Sequence, residues 1–327
     1  MTLLAPGPST LRDWHRPLLA NATLLFGVAV VSAVAMFLDD RQLAGESVWV
    51  KPMKFGFAMG VYGLTLAWLL GRLGRGRRLG WWLGTFFAVA GVLDVGAVVY
   101  AAAHGTYSHF NDNPEPVAET VRTLFSIGVM PLLLITLVIT VLVLVQRTGD
   151  RATSTALLGG LGLAVASMVV ALWLSSSSGA TPRTVPDAYG NPVAMTGGHG
   201  IGDPDGTGMF LTNWSTTGGD LRVPHFVGMH AIQVLLLVSA ILGMLAAGRG
   251  RLRDERVRAR LVGVAVLGYT GVFAVLTWQA KRGVPVTDVD LPTLVAFAAV
   301  ALCTVGTAVA VVVAALRAGS PGPAGPP

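Results

Sequence analysis

The sequence predicts an all-α protein, a polytopic bundle of eight membrane-spanning helices. Three observations predict it. Only 12% of the 327 residues are charged while 53% are hydrophobic, whereas a soluble domain carries about 25% charged residues. The apolar residues collect in eight runs of roughly 20, the length that crosses ~30 Å of hydrocarbon as a helix. Within each run apolarity is continuous rather than alternating, which selects helices over a barrel.

The runs are 18–38, 53–71, 81–102, 123–145, 155–174, 225–247, 261–279 and 291–315. The first follows a polar, basic segment carrying Arg12, His15 and Arg16, and its Ala33-Val34-Ala35 matches a signal-peptidase site. We read it as an uncleaved span, because apolarity continues through Met36-Phe37-Leu38 to membrane length. With the N-terminus inside, all but eight of the 23 Lys and Arg fall in inner segments. The positive-inside rule selects that orientation. Eight spans then place both termini in the cytoplasm, the protein lying in the cell membrane as one domain over residues 1–317. The basic excess lies in short loops between apolar runs, so it argues for membrane orientation and against nucleic acid as a partner. The single cysteine, Cys303, lies in an apolar run and excludes a disulfide framework or a Cys-based zinc site.

Inner loops are short and Arg-rich; the outer loops carry the unusual chemistry. The longest, 175–224, is rich in Gly, Ser and Pro. We expect 179–207 to be mobile and 208–224 to fold back on the bundle as a lid. The tail 318–327, Ala-Gly-Ser-Pro-Gly-Pro-Ala-Gly-Pro-Pro, is expected to be disordered.

A weak internal repeat is legible. Gly45-Glu46 and Lys51-Pro52-Met53-Lys54-Phe55 precede or open the second run, as Gly219-Asp220 and Arg222-Val223-Pro224-His225-Phe226 do the sixth, about 171 residues later. Ala101-Ala102-Ala103-His104-Gly105 after the third run matches Gln279-Ala280-Lys281-Arg282-Gly283 after the seventh, at an offset of 178. Two parallel four-helix halves would produce this, an arrangement some transporters use. Chance likeness of helix-entry punctuation would produce it too.

The candidate site is a set of polar groups at the outer ends of several spans: Lys54, His109, Arg222, His225, His230, Gln233 and Gln279, with Asp94 deeper in the third run. Ionisable groups inside apolar spans are costly and mark functional sites by default. On a regular sixth helix His230 and Gln233 share a face, whereas His225 lies about 140° round from His230. A polar cavity open to the outside is expected, with Asp94 as its floor. His230, His225 and His109 are the candidate metal ligands. Each group also has a plainer reading. Lys51 and Lys54 at a helix mouth would snorkel to headgroups. Asp94 would form a buried salt bridge, and Arg222 would pair with Asp220. Gly198-His199-Gly200 with Asp203 and Asp205 would be glycine-rich disorder.

Trp49-x-Lys51-Pro52-x-Lys54-Phe55, Ser108-His109-Phe110-Asn111 and Gly219-Asp220-Leu221-Arg222-x-x-His225-Phe226-x-Gly228-x-His230-Ala231-x-Gln233 carry a resemblance. With these motifs the chain resembles a family of uncharacterised bacterial multi-span integral membrane proteins, which implies the architecture and no activity. It is also distantly similar to membrane hydrolases that hold zinc with three histidines and an aspartate, but it lacks their regular His-x-x-x-His spacing. Three functions therefore compete. The favoured one is a haem- or transition-metal-binding membrane protein, with redox activity as an option. The others are a transporter or sensor of a small anion or proton, and a zinc-dependent membrane hydrolase. No nucleotide loop, nucleophile elbow or His-Glu-x-x-His is present. The sequence does not decide whether the protein is an enzyme.

Overall fold

A computed structural model gives the architecture; it describes residues 10–146, 149–177, 182–248 and 250–317. Helices α1 (Arg16–Ala35), α2 (Val50–Gly71), α3 (Arg77–Ala103), α4 (Pro116–Gln146) and α5 (Arg151–Ser177) occupy the first five expected runs. The sixth run is broken into α6 (Arg222–Met229) and α7 (Ala231–Ala246), bent by 40°. α8 (Glu255–Lys281) and α9 (Leu291–Arg317) complete the bundle. Among the described residues seven helices are each long and apolar enough to cross a membrane, and the bent pair, taken as one span, makes eight. The chain is a multi-pass helical membrane protein, as the hydropathy predicts.

The break at His230 departs from the regular sixth helix expected. His230 sits at φ −89°, ψ 2°, outside helical geometry, so the three-residue relation to Gln233 does not extend back to His225. The other departure is the long loop. Instead of a mobile stretch, 183–195 forms a hairpin of β3 (Arg183–Pro186) and β4 (Pro192–Met195). Residues 200–201 (β5) then pair antiparallel with 219–220 (β6), Gly200 opposite Asp220. Backbone pairing between segments that far apart carries no local sequence signal. Residues 179–181 and the expected tail 318–327 lie outside the described residues.

Helices pack in the same order in the two halves. α1 packs on α2 and α3, α2 on α3, and α3 on α4; α5 packs on α6, α7 and α8, α7 on α8, and α8 on α9. Both repeated punctuation motifs also take the same form. Pro52 and Pro224 are each the third residue of their helix, where a missing N–H costs no hydrogen bond. Gly105 (φ +65°) and Gly283 (φ +74°) each end a helix in the left-handed conformation. Gly105 N donates to Ala102 O and Thr106 N to Ala101 O; Gly283 N donates to Ala280 O and Val284 N to Gln279 O. These are two copies of one C-terminal capping motif. Four spans return the chain to its starting side, so the second half runs parallel to the first.

Glycines let the helices approach. A Cβ on Gly56 would lie 2.7 Å from Leu25 O, and one on Gly160 would lie 2.5 Å from Ile232 Cα. Lipid offers no hydrophobic drive between helices, so this close packing supplies much of the association. The main buried cluster joins Tyr62, Leu66 and Phe87 of the first half to Leu157, Leu161 and Ile232 of the second. α9 packs on α8 and leaves most of its apolar surface exposed for the bilayer. One end of the bundle carries the Arg-rich turns. The other carries the β-hairpins and the polar cluster described next.

Candidate functional site

At the loop-rich end, side chains from both halves meet at the seam between them. The β1–β2 hairpin (Gln42–Leu43 and Glu46–Ser47) turns through Ala44 and Gly45, both at positive φ, and sets Glu46 against α2. Glu46 lies 3.8 Å from Lys54 Nζ, which also donates to Thr212 O at 2.8 Å. Burial pushes the Glu46 carboxyl above the usual carboxylate range, and Lys54 and Asn213 oppose that.

Lys51, one helical turn before Lys54, reaches His109. Its Nζ lies 3.0 Å from His109 Nδ1, and Ser108 Oγ is 3.1 Å from the same nitrogen. With Lys51 protonated, Nδ1 accepts from it and the ring proton sits on Nε2. Aromatic rings wall the imidazole: Phe125 at 4.4 Å between centroids and Phe55 at 5.9 Å. His199 is 6.1 Å away and meets Phe110 edge-on at 4.9 Å. Phe110 has φ +60°, a strained region for a bulky residue. Burial, reinforced by Lys51, holds His109 well below the ordinary histidine pKa; burial, then Arg222 and Lys51, does the same to His199. Both imidazoles are therefore neutral at pH 7. His199 Nδ1 is buried and has no hydrogen-bond partner.

Arg222 opens the second half. Asp220, only 2% exposed, accepts from Arg222 N at 2.9 Å, Nε at 3.0 Å and Nη2 at 2.6 Å, and from Ser215 N at 2.8 Å. Arg222 also donates to Asn213 O. Its fork is thus spent within the loop, the plainer of the two readings. Asp94 is buried mid-helix in α3, facing α4 where Gly128 leaves room: a Cβ there would lie 3.8 Å from Asp94 Cβ. Its charged neighbour in the cluster is Lys51.

Of the expected residues, the structure brings Lys54, His109 and Arg222 into one cluster, with Asp94 linked to it through Lys51. The others go elsewhere. His225 Nδ1 bonds Ser167 O on α5 at 2.8 Å. His230 packs on Phe226 at the helix break, 4.4 Å between centroids. Gln233 donates across the seam to Thr65 Oγ1 at 3.1 Å. Lys51 and Thr65 are fourteen residues apart on α2, about 21 Å at helical rise, so Gln233 belongs to a deeper layer. Gln279 donates to Pro285 O at 2.8 Å and holds the turn after α8. His104, exposed, bonds its own helix at Tyr100 O. The three proposed metal ligands His109, His225 and His230 therefore serve separate contacts. Among the described residues no group of three or more His, Cys, Asp or Glu is placed to hold a metal ion.

The two most prominent clefts lie elsewhere, one at the Arg-rich end and one on the outer face at Gly159. Two members of the cluster escape sequence reasoning. Lys51 reads as a snorkelling lysine, and His199 as part of a glycine-rich loop; only the β5–β6 pairing carries His199 to the bundle.

No protein-family model matches the chain, and neither a curated protein nor a solved structure matches it.

Proposed function

We propose that the protein is a transporter or sensor of a small oxyanion, working in a bacterial cell membrane with both termini in the cytoplasm. Its binding site is the cluster between the two halves on the external side. The observation that carries this reading is unspent hydrogen-bonding capacity in a buried place. Lys51 presents an ammonium with one neutral imidazole as its hydrogen-bond partner, and His199 Nδ1 beside it has none. A buried charge or unpaired polar atom costs free energy that folding does not need to spend. A carboxylate or phosphate oxygen would satisfy Lys51, and its own proton, or that of the His199 ring, would satisfy Nδ1.

The parallel halves support transport, because sites at the interface of repeats suit alternating access. Asp94, tied electrostatically to Lys51, supplies a second acid whose proton occupancy would respond to a bound anion. The resemblance of the motifs around Lys51, His109 and Arg222 to the bacterial family agrees with this placement, since all three motifs converge on the cluster. Flux of labelled acetate and phosphate in proteoliposomes tests the transport arm. Uptake in the wild type and its loss in Lys51→Met would support it; binding without flux would make the protein a sensor.

The facing His109 and His199 rings favour a second reading, a transition metal or haem held by these histidines. The adjacent Lys51 ammonium argues against it by repelling a cation. Metal analysis and an absorbance spectrum of the purified protein separate the two: stoichiometric metal or a Soret band would support the second. Zinc hydrolysis of lipid has the least support, because His109, His225 and His230 serve separate contacts.

A further inference from the structure

A cleft of about 600 Å³ opens at the Arg-rich end, remote from the polar cluster. Its walls are the first turns of α1 and α3 and the last turn of α2, and they include Arg16, Arg77, Trp14, Trp81 and Asp13. The backbone explains why a cleft forms there. His15 ties the three helices together: its backbone N donates to Ala67 O of α2 at 3.1 Å, its Nδ1 accepts from Leu18 N at 3.2 Å, and its Nε2 donates to Trp81 O of α3 at 2.8 Å. Gly71 and Gly84 leave no room for anything larger, since Cβ atoms there would lie 2.5 Å from Asp13 O and 2.8 Å from His15 Cε1. The floor is therefore closely packed.

The net charge around the cleft is positive, because Arg16, Arg77 and two helix N-termini outweigh Asp13 and the C-terminal end of α2. α1 and α3 both present their N-terminal ends to it, and α3 has no side-chain cap. Arg16 and Arg77 are exposed at its rim. The one acid, Asp13, is occupied by Thr10, whose N and Oγ1 donate to its carboxylate at 3.0 and 2.9 Å. Trp14 packs its ring against the main buried cluster and closes the inner side of the cleft. Trp81 (45% exposed) and Trp82 (48%) stand beside it as interface aromatics do. Pro17, Ala20 and Leu70 continue the wall with apolar surface toward the bilayer.

We infer that this cleft binds the phosphate headgroup of an anionic phospholipid, with Arg16 and Arg77 on the phosphate and an acyl chain along the Ala20–Leu70 side. A basic pocket between helix ends in the anionic leaflet has the chemistry for such a headgroup. The occupant is a lipid rather than free phosphate because the cationic rim grades directly into apolar wall.

The test is native mass spectrometry and thermal melting of the full chain in detergent, with added phosphatidylglycerol, phosphatidylcholine or inorganic phosphate. Phosphatidylglycerol should raise the melting temperature and remain bound at one molecule per chain. Arg16→Gln/Arg77→Gln should weaken that binding by roughly 30-fold, the equivalent of about 1 kcal/mol for each arginine. Arg12→Gln/Arg78→Gln, the same charge change outside the cleft lining, should leave it intact. Equal stabilisation by phosphatidylcholine, or equal loss in both double variants, would overturn the site. Stabilisation by inorganic phosphate alone would overturn the lipid.

Discussion

Lys51 Nζ lies 3.0 Å from His109 Nδ1, so a basic group of α2 is joined to a neutral imidazole in the loop after α3. Neither residue needs the other to fold its own element. α2 begins one residue before Lys51 and has Pro52 in its first turn, and His109 is held by its aromatic walls. The pair is therefore best understood by what can be placed beside it, and the predictions start from its protonation.

The buried histidines should lower stability on acidification, opposed in part by Glu46, whose raised carboxyl contributes in the other direction. His15, His109 and His199 all have folded-state pKa values below the ordinary 6.5, in each case chiefly through burial. Below about pH 6.5 the unfolded chain binds more protons than the folded one, so stability is full above that pH and falls as pH drops. The slope should reach at most about 1.4 kcal/mol per pH unit for each histidine. Melting curves in detergent between pH 5 and 8 check it. His15→Gln should flatten part of the slope; a melting temperature that rises on acidification would contradict the assignment.

Two arginine forks of the same form should differ in importance. Arg41 grips Asp39 through its backbone N, Nε and Nη2, as Arg222 grips Asp220. The Asp39 side chain is 22% exposed and that of Asp220 is 1% exposed. Asp220→Ala should cost about 3–5 kcal/mol, because it strands a partly buried guanidinium and Ser215 N. Asp39→Ala should cost about 1 kcal/mol or less. Comparable losses of melting temperature in the two variants would refute the ranking.

Helix packing makes a sharper prediction at Gly160. A side chain there meets the Ile232 backbone and not a movable tip. Gly160→Val should lower stability by roughly 1–3 kcal/mol, the usual range for overpacking. Gly162→Ala, with open space around its Cβ, should be close to neutral. The measurement is retention of monodisperse protein after graded heating.

Orientation follows from connectivity once one loop is located. Cysteine tags at 75 and 255, at the Arg-rich end, should be protected from a membrane-impermeant maleimide in intact cells, and a tag at 190, in the β3–β4 hairpin, should react. A reactive 255 with a protected 190 would invert the protein and the side from which an anion enters.

The spans were legible because membrane length and continuous apolarity are local properties, and every expected run became helical. The repeat was legible for a related reason: proline entries and glycine exits are local punctuation, and both recur in the structure with the same capping bonds. The break at His230 was not legible. It falls in an unbroken apolar run, where Ala231 and Ile232 give no warning. The site was legible in part. Lys54, His109 and Arg222 stood out as polar groups at span ends, but depth alone does not say which lie on the seam. His225 and His230 share that depth and are used for packing on Ser167 and Phe226. His199 was hidden because its position depends on Gly200 pairing with Asp220, twenty residues away.

The most direct test of the central claim is calorimetric titration of the purified wild-type protein with small oxyanions, acetate and phosphate first. The account predicts a single saturable site per chain at neutral pH, lost in Lys51→Met and in His199→Leu, while both variants keep the wild-type elution profile. Saturable binding that survives Lys51→Met, or no binding of either anion by the folded wild type, would contradict it.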